Sequence, residues 1–117
     1  MAERYMDALL DYAAGLIDRE FPQDVADAAT RDIARKIVLG AHGDAADRAA
    51  YKYAGLGGFA SAVLDGRWED AAFMADSQNA LLLASWAKFR YWVAGKAEEL
   101  SRGATVGEDG LRYMAEG

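Results

Sequence analysis

The chain has 117 residues, the size of one ordinary domain, with no cysteine, one histidine, one proline and a formal net charge of −6. Without cysteine there is no disulfide framework and no thiolate zinc site, and the acidic balance argues against broad binding to a phosphate backbone, which needs clustered Lys and Arg. Folding at this size buries about two-thirds of the surface of the unfolded chain, enough for a core without staples.

The charge is unevenly spread. Residues 1–30 carry Glu3, Asp7, Asp11, Asp18, Glu20, Asp24 and Asp27 against Arg4 and Arg19. Residues 31–58 reverse the sign, with Arg31, Arg35, Lys36, Arg48 and Lys52 against Asp32, Asp44 and Asp47. The amino-terminal stretch is charged from its third residue and has no long apolar run, so it reads as neither a secretory signal nor a membrane span. A cytoplasmic location is the expectation that follows.

Abundant Ala, a single proline and few β-branched residues favour helix throughout. In residues 3–20, Tyr5, Leu9, Tyr12 and Leu16 recur at helical spacing, with Met6, Ala13 and Ile17 beside them. Asp7, Asp11 and Asp18 occupy the opposite side, giving an amphipathic helix with a short acidic row. Phe21-Pro22 ends it, and Asp24 is placed to cap a second helix over 24–41 that buries Ala26, Ala29, Ile33 and Ile37. Asp32 and Lys36 on that helix are spaced for an i, i+4 pair.

Gly40-Ala41-His42-Gly43 closes the second helix, and Asp44 can cap a third running through Ala54. After Gly55–Gly58, the residues Leu56, Phe59, Ala60, Val63 and Leu64 follow helical spacing up to the Asp65-Gly66 turn signal. Trp68 to Ala75 forms another short helix. Asp76 or Ser77 caps the longest element, about 77–102, which Gly103 terminates. Residues 104–117 form a glycine-punctuated tail, mobile or docked through Leu111, Tyr113 and Met114.

The predicted fold is therefore all-α. It is a single small bundle of five to six helices in residues 1–103, irregularly or orthogonally packed, without a sheet. Leu9, Leu16, Ile33, Ile37, Val63, Leu82, Phe89 and Val93 are the expected core.

The long helix carries more large rings than one buried face needs. Leu82, Trp86, Phe89, Val93 and Leu100 share a face and suffice for a core helix. Leu81, Ser85 and Trp92 form a second stripe about a quarter turn away, and Tyr91 points nearly opposite the core between Lys88 and Glu98. Two readings stand: the helix is packed on two sides by its neighbours, or Lys88, Tyr91 and Trp92 form a surface for a partner, which can be a second copy in a homodimer.

Catalytic and metal-binding residues are not predicted, nor is a cofactor. His42 is the only histidine, so paired His ligands and the Glu-x-x-His motifs of a di-iron bundle are missing; between glycines it reads as an exposed turn residue. Ser61, Ser77, Ser85, Ser101, Thr30 and Thr105 have no legible activating base. The pairs Glu69-Asp70, Glu98-Glu99 and Glu108-Asp109 sit on adjacent positions that diverge by about 100° on a helix. Gly55-Leu56-Gly57-Gly58 lacks the preceding strand and βαβ unit of a dinucleotide loop, and instead permits a tight turn and close helix packing.

The functional expectation is a non-enzymatic interaction module with a protein partner, an adaptor or a small inhibitor of a larger machine. Small acidic helical proteins of this class include phage-encoded counter-defence proteins, anti-CRISPR proteins among them. A helical bundle holding a small apolar ligand is an alternative. A second is an acidic nucleic-acid mimic presenting Asp7, Asp11 and Asp18. Leu81 to Arg90, "LLLASWAKFR", also resembles the Leu-Leu-x-x-Trp-x-x-aromatic-Arg helix near the end of bacteriophage tail-fibre assembly proteins. That likeness covers ten of the 117 residues, the rest departs from the family's pattern, and it implies a phage assembly factor as a further alternative.

Overall fold

The structure, a computed structural model, describes residues 4–106 and 112–114. Its helices are α1 (Tyr5–Glu20), α2 (Ala28–His42), α3 (Ala45–Ala50), α4 (Gly58–Asp65), α5 (Trp68–Met74), α6 (Ser77–Leu81) and α7 (Leu83–Gly103). The fold is an all-α bundle with a long C-terminal helix, as predicted. The described residues hold seven helices where five to six were predicted, because the last predicted helix is interrupted.

The boundaries follow local chemistry. Pro22 cannot extend α1, and its carbonyl gathers the amides of Val25 and Ala26 into a turn at 3.1 and 2.8 Å. That turn contains Asp24, so the predicted cap is displaced: α2 is capped by Asp27. Thr30 stands three residues on, and the two exchange reciprocal bonds of 3.1 Å, satisfying two amides that a helix start leaves without partners. Asp44 and Asp47 repeat the device at α3. Asp76 caps α6 through the Asn79 amide at 2.7 Å, and α4 stops at Gly66, whose φ of 71° suits a residue without Cβ.

The interruption between α6 and α7 falls at Leu82, where the Leu82 amide donates to Asn79 O in a tightened turn. In an uninterrupted helix Asn79 and Trp86 would lie about 10.5 Å apart along the axis. With the offset at Leu82, the Trp86 indole N–H donates to Asn79 Oδ1 at 3.1 Å in the interior. Asn79 is one of two buried polar residues among the described residues, and its burial is compatible with stability because that bond exists.

α1 packs on both α2 and α7, and α4 leans on α2, α5 and α7. Where these helices meet, Trp86 is enclosed by Phe21, Phe59 and Phe89, all edge-on at centroid distances of 5.0, 6.3 and 5.4 Å. Of the expected core, Leu9, Leu16, Ile37, Val63, Leu82, Phe89 and Val93 are buried, while Ile33 is half-buried. On α2 the buried stripe runs through Thr30, Ala34, Ile37 and Val38, and the predicted Ala29 is exposed. The later start and the inward-facing Thr30 of the cap set that phase.

Beyond α7 the chain departs from the strandless tail predicted for it. Two three-residue strands, β1 (Ala104–Val106) and β2 (Arg112–Met114), pair antiparallel with Ala104 opposite Met114 and Val106 opposite Arg112. The backbone of β2 lies near α1 and α7. Tyr113 and Met114 of the predicted docking set fall in β2, and Leu111 lies outside the described residues. The physical signal was present: β-branched Thr105-Val106 precede a segment holding Gly107 and Gly110, a hairpin pattern.

Because Phe89 is fully enclosed and touches both Trp86 and Phe21, Phe89→Ala leaves a cavity and is expected to cost about 3–5 kcal/mol. Urea unfolding reads this directly. An unchanged midpoint would place that face of α7 outside the core.

Candidate functional site

With Leu82, Trp86, Phe89, Val93 and Leu100 all buried, the orientation of α7 is set by its inner face. Tyr91, about 200° round the helix from Phe89, must then face outward, and it is 77% exposed. Trp92 falls on the flank, half-buried and packed against the edge of the core. Trp92 is thus partly an internal packing element, and Tyr91 is a surface residue.

Tyr91 and Trp92 line an open groove of about 560 Å³ that continues along α7 past Gly95 and is bordered on the α1 side by Tyr12. The Lys96 ammonium lies 5.4 Å from the centre of the Tyr12 ring and pairs with Glu99 at 3.2 Å. Glu98 completes the rim and reaches Arg102 at 3.6 Å. The Tyr5 hydroxyl donates to the Ala97 carbonyl, tying the start of α1 to the same stretch of α7. The result is an aromatic wall with one cation and two carboxylates at its border. Lys88, the third residue singled out on this helix, is exposed, lies one turn before Trp92 and does not line the groove.

The three aspartates of α1 have different surroundings. Asp7 is half-buried and accepts a hydrogen bond from the Tyr51 hydroxyl. Asp18 pairs with Arg31 at 2.7 Å. Asp11 is exposed and has no ion pair among the described residues. A mimic of a phosphate row needs several uncommitted charges in line, and this row offers one.

Two exposed apolar residues escaped the sequence reading as a surface, Phe73 at 92% and Met74 at 42%, and Leu81 of the second stripe is also exposed, at 72%. A wheel carries the signal for Phe73. It follows buried Ala71 by two residues, so a short helix that buries Ala71 must turn Phe73 to solvent. Met74 covers Gly58, where a Cβ would sit 2.8 Å from its sulfur. That contact and the φ of 102° at Gly55 give the glycine-rich segment the packing and turn roles expected of it.

His42 differs from its expectation. It closes α2 as a helical residue, half-buried beside Ile37, Leu64 and Val93, and burial pushes its pKa below the ordinary value. Among the described residues no three His, Asp or Glu side chains are grouped to hold a metal ion, and no helix is long and apolar enough to cross a membrane. Comparison with known proteins yields no match to a family model, to a curated protein or to a solved structure. The residues themselves carry the functional reading.

Tyr91→Ala is expected to leave unfolding free energy within about 0.5 kcal/mol of the parent, as surface changes usually do, whereas Trp92→Ala removes a half-packed ring and should cost about 1–2 kcal/mol. Chemical denaturation separates the two. A second expectation concerns pH. Because the His42 pKa is lowered from 6.5 in the folded chain, the unfolded chain binds the proton first on acidification. Stability is unaffected above this range, falls as pH drops through about 6.5, and stops falling below the folded-state pKa. Thermal melts between neutral and mildly acidic pH should show His42→Gln flattening that limb.

Proposed function

We propose that this chain is a protein–protein interaction module that docks a foreign protein on the outer face of α7. The observation that carries the reading is Tyr91, exposed on a rigid helix beside the half-buried Trp92, with both rings walling one groove. Tyrosine and tryptophan offer large contact area with few rotatable bonds, and they dominate binding energy where they occur at interfaces.

Ring surface and overall charge describe the partner. Glu98 and Glu99 at the border are each paired with a cation of α7, and the chain as a whole carries a net charge of −6. The complementary surface is an apolar anchor on a basic protein, drawn in by long-range attraction and held by ring burial. The inhibitory form of this reading, occlusion of a surface on a larger machine, needs only this one face.

Retention of a partner from host extract on the immobilised chain, followed by affinity measurement with the purified partner, tests the proposal. Tyr91→Ala and Trp92→Ala are each expected to weaken binding by about 2 kcal/mol, and added salt should weaken the parent complex by screening the long-range attraction. Undiminished affinity in both variants would refute the assignment. Sedimentation across a concentration range is expected to show a monomer; a dimer that Tyr91→Ala dissociates would assign the face to a second copy.

A further inference from the structure

A second concavity separates α1 from α2. Leu10, Ala13, Ala14 and Ile17 form its α1 wall, and the small side chain of Ala34 on the α2 wall leaves a cleft of about 280 Å³. The polar side chains at this cleft are Arg31, Arg35 and Tyr51. It shares no lining residue with the α7 groove.

The two arginines are not equivalent. Arg31 is neutralised by Asp18 at 2.7 Å. Arg35 has no carboxylate within ion-pair distance among the described residues; its Nη2 donates to the Tyr51 carbonyl at 2.6 Å and its guanidinium lies 5.4 Å from the centre of the Tyr51 ring. Tyr51 is in turn held to α1 through its hydroxyl on Asp7. This residue therefore bridges the two helices across the cleft and fixes the Arg35 head group. A guanidinium has five N–H donors, so most of those on Arg35 stay available.

We infer that this cleft binds an amphiphilic monocarboxylate, with the alkyl chain or ring against Leu10 and Ala14, above a floor closed by the buried Ala13, Ile17 and Ala34, and the carboxylate on Arg35. An apolar trough selects an apolar body, and one oriented, uncompensated guanidinium selects a single planar anion by its forked donors. The volume lies at the small end of ligand sites, roughly 300 Å³, which fits a medium-length chain and excludes a bulky cofactor.

Isothermal titration with octanoate, octanol and acetate provides the test. Octanoate is expected to bind saturably, octanol about tenfold more weakly for want of the charge-assisted bond, and acetate not at all. Arg35→Gln should remove the preference of octanoate over octanol while leaving octanol binding unchanged, which shows the cleft intact. Ala14→Phe places a ring over the trough from an exposed position and should abolish binding of both ligands with a melting temperature near the parent's. Equal affinity for octanoate and octanol in the parent, no saturable octanoate binding, or octanoate affinity unchanged in Ala14→Phe would each overturn the inference.

Discussion

An indole ring shut away from solvent must find an acceptor for its one N–H, and in this chain that requirement organises the middle of the fold. The Trp86 ring is fully buried among Phe21, Phe59 and Phe89, drawn from the α1–α2 turn, from α4 and from its own helix. Its N–H reaches the buried Asn79 amide. Remove the acceptor and a donor is stranded at a cost of about 1–3 kcal/mol. Supplying the acceptor from seven residues upstream coincides with the break at Leu82. One side chain thereby joins α4, α6 and α7 at the point where the long helix begins.

The same constraint orients the rest of α7. Once Trp86 and Phe89 point inward, helical geometry leaves Tyr91 outward and Trp92 on the flank. The groove against Tyr12 is a consequence of core packing carried round a cylinder. Its aromatic character and acidic border come from the outer positions of the same helix, and the rings are what recommend it as a docking surface.

Much of this was legible in the residues. The inner face of α7, the amphipathic character of α1, the Asp44 cap and the stop at Gly66 all follow from local pattern, because each depends on neighbours within a turn or two. The Asp27 cap was missed in favour of Asp24, since both are placed before the helix and only the reciprocal Thr30 bond separates them. The break at Leu82 was not legible: it accompanies a bond between Asn79 and Trp86 whose need arises from burial. Ile33 and Ala29 were misjudged for a related reason, as the phase of α2 depends on where its cap falls. Of the site, Tyr91 was found by its angle on the wheel. The α1–α2 cleft was not, because empty space between alanines depends on how far apart two helices settle.

Seating the two candidate rings on a helix anchored by Trp86 has an entropic consequence. Ordering a rotamer-rich side chain at an interface costs about 0.5–1.5 kcal/mol, and a ring with two side-chain torsions costs less. Trp92, already half-packed against the core edge, has surrendered part of that freedom before any partner arrives, and the backbone beneath both rings is held by the buried face of α7. Tyr91, mostly solvent-exposed, retains its own. On the docking role proposed above, Tyr91 and Trp92 offer an arriving surface one adjustable contact and one preset contact. Such a pairing tolerates modest variation in the partner's shape without loss of register.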